Sequence, residues 1–205
     1  MDPVRQPIID TIVIVFEDQK DILKALWLLP DSAIGSSWEW SLSERKHFVD
    51  SALKYGYFIN KDEFFYKKFK SPTHFKSAVV DGFWEMKMYS VSPESKLLLT
   101  HFVTGDGDDL CCYKLAKDGL VPVNDFFPRN YSLWLFNPAT RDSCKVIPDD
   151  EYELGLDYKI SDDSILVYNH YAKYDSICFN GNTLYLLFNK SYGRMEYHSV
   201  EWRSV

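Results

Sequence analysis

Apolar and polar residues change their spacing along this chain, and the change predicts two kinds of structure. From Ile8 to Phe16 apolar residues fall on both sides of an extended segment. Thr11, Val13 and Val15 lie on one side and Ile12, Ile14 and Phe16 on the other, which predicts a central or covered strand. Between Asp18 and Leu29 the residues Ile22, Leu23, Leu26 and Trp27 recur at helical spacing, and Pro30 stops the helix. Ser41-Leu42-Ser43-Glu44 reads as a capping box that opens a second helix. Its stripe is Phe48, Val49, Ala52 and Leu53, and Gly56 sits where a left-handed cap belongs. Asn60-Lys61-Asp62-Glu63 repeats the capping pattern ahead of a short third helix to about Phe69, closed by Ser71-Pro72.

Beyond this point the period becomes two. Phe83 to Tyr89, Lys96 to Val103, Leu110 to Leu115, Ser132 to Phe136 and Cys144 to Ile147 read as strands separated by turn residues. Ser176 to Phe179 and Thr183 to Phe188 flank Asn180-Gly181, a hairpin signal. Ile165 to Asn169 and Met195 to Trp202 supply further strands. The expected fold is α+β. An N-terminal strand and two to three helices pack on a mostly antiparallel sheet, and a β-meander forms the C-terminal part. Residues 1–205 read as one domain, with a helix-rich sub-lobe over 1–90 and a sheet-rich one over 91–205.

Composition adds a bias toward rings and negative charge. The chain carries 14 Tyr, 14 Phe and 6 Trp and a net charge of -7. Residues 1–102 are nearly balanced, with 13 Lys/Arg against 14 Asp/Glu, whereas residues 103–205 hold 10 against 16. Such a C-terminal half disfavours nucleic acid and favours a basic partner. A chain of this length removes roughly 70% of its unfolded surface from water and needs no crosslinks. No apolar run reaches the length of a membrane span. The first residues lack the basic start and apolar core of a secretory signal, which predicts a cytoplasmic protein.

Candidate chemistry is sparse. Cys111, Cys112, Cys144 and Cys178 show no CxxC spacing and are expected to be buried free thiols. Asp106, Asp108 and Asp109 crowd one turn, but the calcium-loop spacing fails because Lys117 occupies its twelfth position. His47, His74, His101, His170 and His198 form no helical pair, so no metal is expected, and His101 reads as a satisfied strand residue. No nucleophile turn or phosphate-cradling loop occurs, and no cofactor is expected. Lys67, Lys68, Lys70 and Lys76 alternate with Phe64, Phe65, Tyr66, Phe69 and Phe75. That pattern suits either a helix with a wet lysine face or a surface tracking a single nucleic-acid strand.

Two stretches resemble known families. Asp81-Gly82-Phe83-Trp84-Glu85-Met86-Lys87-Met88, followed by Leu97 to Val103, resembles consecutive strands of the RelE/HigB ribonuclease toxins. That resemblance implies a basic protein that cuts RNA. Here Lys87 stands where that family has Arg, the chain is acidic, and about 100 further residues follow. Leu133-Trp134-Leu135-Phe136-Asn137-Pro138-Ala139-Thr140-Arg141 resembles a blade motif of plant F-box-associated domains.

The leading expectation is a non-catalytic protein that recognises and occludes a basic protein partner, as an immunity or inhibitor protein neutralises a toxin. Asp149, Asp150, Glu151, Glu153, Asp157, Asp162 and Asp163 would steer the partner, and Tyr152, Tyr158, Tyr171 and Tyr174 would supply contact energy. A RelE-like ribonuclease using Lys67, Lys68, Lys70, Lys76 and Lys87, and a subunit of a larger assembly, are the alternatives.

Overall fold

The computed structural model describes residues 10–34, 40–61, 65–79, 81–105, 107–116, 119–141, 144, 155–170, 172 and 177–204. It is mostly antiparallel sheet with two α-helices among those residues, an α+β arrangement. The chain divides into two units, Met1–Val123 and Asn124–Val205. A boundary near residue 90 would cut a strand in the middle of its sheet, so the division falls after the sheet is complete.

In the first unit, β1 (Asp10–Val13) pairs with β2 (Tyr57–Asn60), and the two enclose α1 (Glu17–Leu28) and α2 (Leu42–Tyr55) in sequence. Then follow β3 (Lys67–Ser71), β4 (His74–Val79), β5 (Gly82–Ser92), β6 (Ser95–Thr104), β7 (Gly107–Ala116) and β8 (Gly119–Pro122). They form a six-stranded antiparallel meander whose spatial order equals chain order. Alternation sends Phe75, Trp84, Met86, Leu98 and Tyr113 to one face. There they meet Ile22, Leu23 and Leu26 of α1 and Val49 and Ala52 of α2 in one apolar cluster.

The helix ends follow their local chemistry. The Ser41 N–H donates to Glu44 Oε2 at 2.8 Å and the Glu44 N–H donates back to Ser41 Oγ at 3.4 Å, a closed capping box. Gly56 ends α2 at φ 73°, a conformation that costs other residues energy. Arg45, on the buried side of α2, donates from Nη1 to the Leu26 and Leu29 carbonyls at 3.2 and 2.6 Å, and Nη2 pairs with Asp31. A cation there satisfies orphan carbonyls at the end of α1 and complements the helix dipole.

The second unit holds a 3-10 helix (Tyr131–Leu135), β9 (Leu156–Ile160), β10 (Ser164–Asn169), β11 (Thr183–Asn189) and β12 (Arg194–Glu201). The strands form a four-stranded antiparallel sheet ordered β12-β11-β10-β9. Ile165, Val167, Leu184, Leu186 and Met195 are its fully buried apolar positions.

Several expectations are corrected. The N-terminal strand is not covered on both sides: it belongs to a two-stranded ribbon, and Val13 is 58% exposed. Trp27 lies outside the buried stripe of α1, with the Lys46 ammonium 4.9 Å above its ring. The third helix is absent among the described residues. Lys67–Ser71 alternates as a strand, because Phe69 packs inward while Lys68 and Lys70 face away. Ser132–Phe136 is not a strand but largely a 3-10 turn, entered through Asn130 at φ 53°. Asn180-Gly181 does not close a hairpin, since β11 pairs with β10 and β12. Gly181 serves close approach instead: a Cβ there would lie 2.5 Å from the Glu201 carbonyl oxygen.

The thiol expectation also changes. Cys144 and Cys178 form a disulfide across a separation of 34 residues, whereas Cys111, exposed, and Cys112, buried, are not disulfide-bonded. Residues 145–147, expected to extend a strand from Cys144, lie outside the described residues. Around the bridge, Asn137 N–H donates to the Cys178 carbonyl at 2.8 Å and Thr140 Oγ1 donates to the Ile177 carbonyl at 2.6 Å. Among the described residues no helix is long and apolar enough to cross a membrane.

Two outcomes are expected. Arg45→Leu leaves the Leu26 and Leu29 carbonyls without their donor, so unfolding in urea should show a loss of about 2 kcal/mol at unchanged slope. Reducing Cys144–Cys178, or replacing both by Ser, should destabilise the second unit by about 3 kcal/mol, read from the denaturant midpoint with and without reductant.

Candidate functional site

The six-stranded sheet has two unlike faces. Its apolar face meets the helices. On the other, alternation places charged residues in a row across adjacent strands: Lys68 opposite Lys76, Lys76 opposite Glu85, and Glu85 opposite His101. Glu85, His74, His101 and Lys87 are all buried. Buried charges must be paired or neutralised, and these largely are. Glu85 Oε1 lies 3.0 Å from His101 Nδ1, and Glu85 Oε2 lies 2.8 Å from His74 Nε2 and accepts from Lys70 Nζ at 2.9 Å. His101 Nε2 lies 3.1 Å from Asp108 Oδ2. Lys87 Nζ donates to Thr73 Oγ1 at 2.9 Å.

This geometry fixes protonation. Burial disfavours the Glu85 carboxylate, but donors from His101, His74 and Lys70 overcome it and hold the carboxyl far below its ordinary range. Burial also opposes a charged His101, yet Asp108 and Glu85 face both ring nitrogens and raise its pKa above the ordinary histidine value, favouring the imidazolium. His74 behaves oppositely. Burial dominates, Lys70 and Lys87 add repulsion, and its pKa falls despite Glu85, so the ring is neutral and donates from Nε2. The assembly Asp108–His101–Glu85–His74 is a chain of charge-assisted hydrogen bonds inside the protein.

The first unit also carries a pocket of about 300 Å³ open to solvent, lined by Ile34, Trp40, Glu44, Phe65, Lys67, Ser77, Val79 and Trp84. Strand alternation puts Ser77 and Trp84 here, opposite the charged row. Trp84 Nε1 donates to the Ala33 carbonyl at 3.0 Å, fixing both that ring and the turn carrying Ile34. The Lys67 ammonium sits 4.8 Å above the Trp40 ring and 5.7 Å from that of Phe48, and donates to the Phe65 carbonyl at 2.9 Å. Glu44 closes the rim while capping α2. Aromatic walls with one cation and one carboxylate can hold an apolar or ring-bearing group. A wider, shallower groove runs beside it along α2 and β2, lined by His47, Tyr55, Tyr57 and Ile59 among others.

Of the residues expected to grip a basic partner, Asp157, Tyr158, Asp162 and Asp163 fall among the described residues. Asp149, Asp150, Glu151, Tyr152, Glu153, Tyr171 and Tyr174 lie outside the described residues. Asp157 is exposed on β9, with His170 Nε2 at 2.5 Å from Oδ2. Tyr158 is half-buried rather than exposed, its hydroxyl bonded to that of Tyr131. Asp162 and Asp163 sit at the β9–β10 turn, about 16 Å along the strand from Asp157. Among the described residues of this unit Lys/Arg and Asp/Glu are equal in number, so its net negative charge resides in the remainder. The five lysines of the ribonuclease alternative are likewise divided. Lys67 faces the aromatic pocket, Lys68, Lys70 and Lys76 face the charged row, and Lys87 is buried. Asp108 bonds to His101, and among the described residues no cluster of three or more His, Cys, Asp and Glu could hold a metal.

No protein-family model matches the chain, and no curated protein matches it. A solved structure, that of a domain of an uncharacterized protein from Porphyromonas gingivalis W83, is similar with a TM-score of 0.55 at 12% identity, over 87% of this chain and 98% of that domain. At this identity the likeness is one of fold.

His101→Gln gives a pH-dependent outcome. A raised His pKa contributes stability fully below its unfolded value, and that contribution is lost as pH rises through the folded one. The gap in urea midpoint between wild type and variant should therefore be widest below about pH 6.5, the unfolded value, and narrow as the pH rises above it.

Proposed function

We propose that this chain is a non-catalytic recognition protein that grips and occludes a basic protein partner, as an inhibitor or immunity protein does. The observation that carries the reading is the Trp40–Trp84 pocket, an open, preformed aromatic recess in which an anchoring side chain of a partner can be desolvated. Two further facts support it. The carboxyl held furthest from its ordinary range, Glu85, is buried and committed to His101, His74 and Lys70 rather than turned toward a substrate. The net charge of -7 attracts a cationic protein over distances set by salt.

The division of labour is specific. Long-range attraction governs encounter, while the pocket governs residence time. Binding of a panel of strongly basic proteins, measured by interferometry at about 50 and 500 mM salt, should show association rates that fall with salt. Trp40→Ala should weaken a bound partner at least about tenfold, chiefly through faster dissociation. Association insensitive to both salt and Trp40→Ala, or no association with any basic protein, would sink the reading.

A further inference from the structure

The row of charges on the six-stranded sheet is unbalanced at its outer end. Lys68 and Lys76 stand directly opposite each other on β3 and β4. Like charges in that position destabilise a strand pair. Neither makes an ion pair or side-chain hydrogen bond among the described residues. Glu85, the carboxylate facing Lys76, is already engaged by Lys70, His74 and His101. The Lys76 ammonium instead rests 3.1 Å from the Phe83 ring centroid, which fixes its position without neutralising it.

Edge strands commonly carry lysines that block pairing with other chains, and β3 is an edge. That accounts for Lys68 and Lys70. It does not account for Lys76, which comes from the interior strand β4 and is half-buried on the same face. Burial, reinforced by Lys70 and Lys68 and opposed by Glu85, pushes the Lys76 amine down to about 8. At neutral pH the group is still mostly charged, at a cost an anion would relieve.

We propose that Lys68, Lys70 and Lys76 form an anion site for a phosphate group carried by a small ligand. Lys68 and Lys70 are exposed at its mouth, and Lys76, held by Phe83, is its floor. Lys68 and Lys76 supply unneutralised point charges to a tetrahedral anion, and Lys70, which also donates to Glu85, adds a shared one, in a chain whose overall charge is negative.

The test titrates inorganic phosphate against chloride at constant ionic strength and follows lysine side-chain and β3–β4 amide resonances by NMR. The expected result is a saturable shift confined to these strands, with the Lys76 titration moving to higher pH when phosphate is bound. Lys68→Met and Lys76→Met should each weaken phosphate about tenfold. Lys68→Met, at an exposed position, should also raise the melting temperature without phosphate, because it removes the opposed charge. A shift that never saturates, a response equal to that of chloride, or phosphate binding unchanged in Lys68→Met overturns the proposal.

Discussion

The buried Arg45 guanidinium is the tie on which the helical half of the first unit depends. It leaves α2 sideways and reaches the last carbonyls of α1 and the Asp31 carboxylate. Two helices packed only by apolar stripes could slide, because burial has no direction. Three directed bonds from one side chain set the position of α1 along α2. They also hold the turn after α1, whose other side is fixed by Trp84 Nε1 on the Ala33 carbonyl. Ile34, at the end of that turn, is one wall of the pocket. The pocket's shape is therefore inherited from a cation whose nearest sequence neighbours say nothing of it.

The second constraint is the charged row. A one-residue slip of β5 would move Glu85 into the apolar cluster and Trp84 out of it. Glu85 would then lose both histidines and Lys70, leaving a buried carboxylate without partners. Such a loss costs far more than the intact pairs contribute, which is why buried ionic groups specify an arrangement better than they stabilise one. The row thus acts on register: it makes the alternatives to the native pairing of β4, β5 and β6 expensive.

What could be read in advance follows from the range of the interactions. The capping box at Ser41–Glu44, the stop at Gly56 and the strands from Phe83 to Leu115 are encoded within a few residues, and the structure contains them. The chain up to Phe69 reads locally as helix because a capping-like tetrapeptide precedes it, yet Lys67–Ser71 is strand. Its partners Ser77, Lys76 and Phe75 lie across a turn whose pairing decides the outcome. His101 was legible as a satisfied strand residue, but its partners were not, since Glu85 lies 16 residues away and Asp108 becomes a neighbour only when β6 and β7 pair. The Cys144–Cys178 bridge gave no spacing signal, because long-range hydrogen bonds from the Asn137 N–H to the Cys178 carbonyl and from the Thr140 hydroxyl to the Ile177 carbonyl hold the two segments together.

The abundance of rings bears on recognition differently from what composition alone implies. Many are interior. Phe48 touches Phe58 and Phe75, Phe58 touches Phe69, and Phe69 and Phe75 meet edge to face at 5.2 Å. The chain of contacts continues from Phe75 to Trp84 at 6.4 Å and from Phe48 to Trp40 at 5.3 Å. Both tryptophans that end it line the pocket. The recess is thus the open end of an aromatic core rather than a separate surface feature. A ring or flat apolar group entering it would make the same tilted contacts that already hold the interior, against walls fixed before it arrives. Preformed walls lower the ordering cost of association, so modest area can give useful affinity. The core and the proposed contact are then one structure, and substitutions at Phe48 or Phe75 should reach the pocket through packing alone.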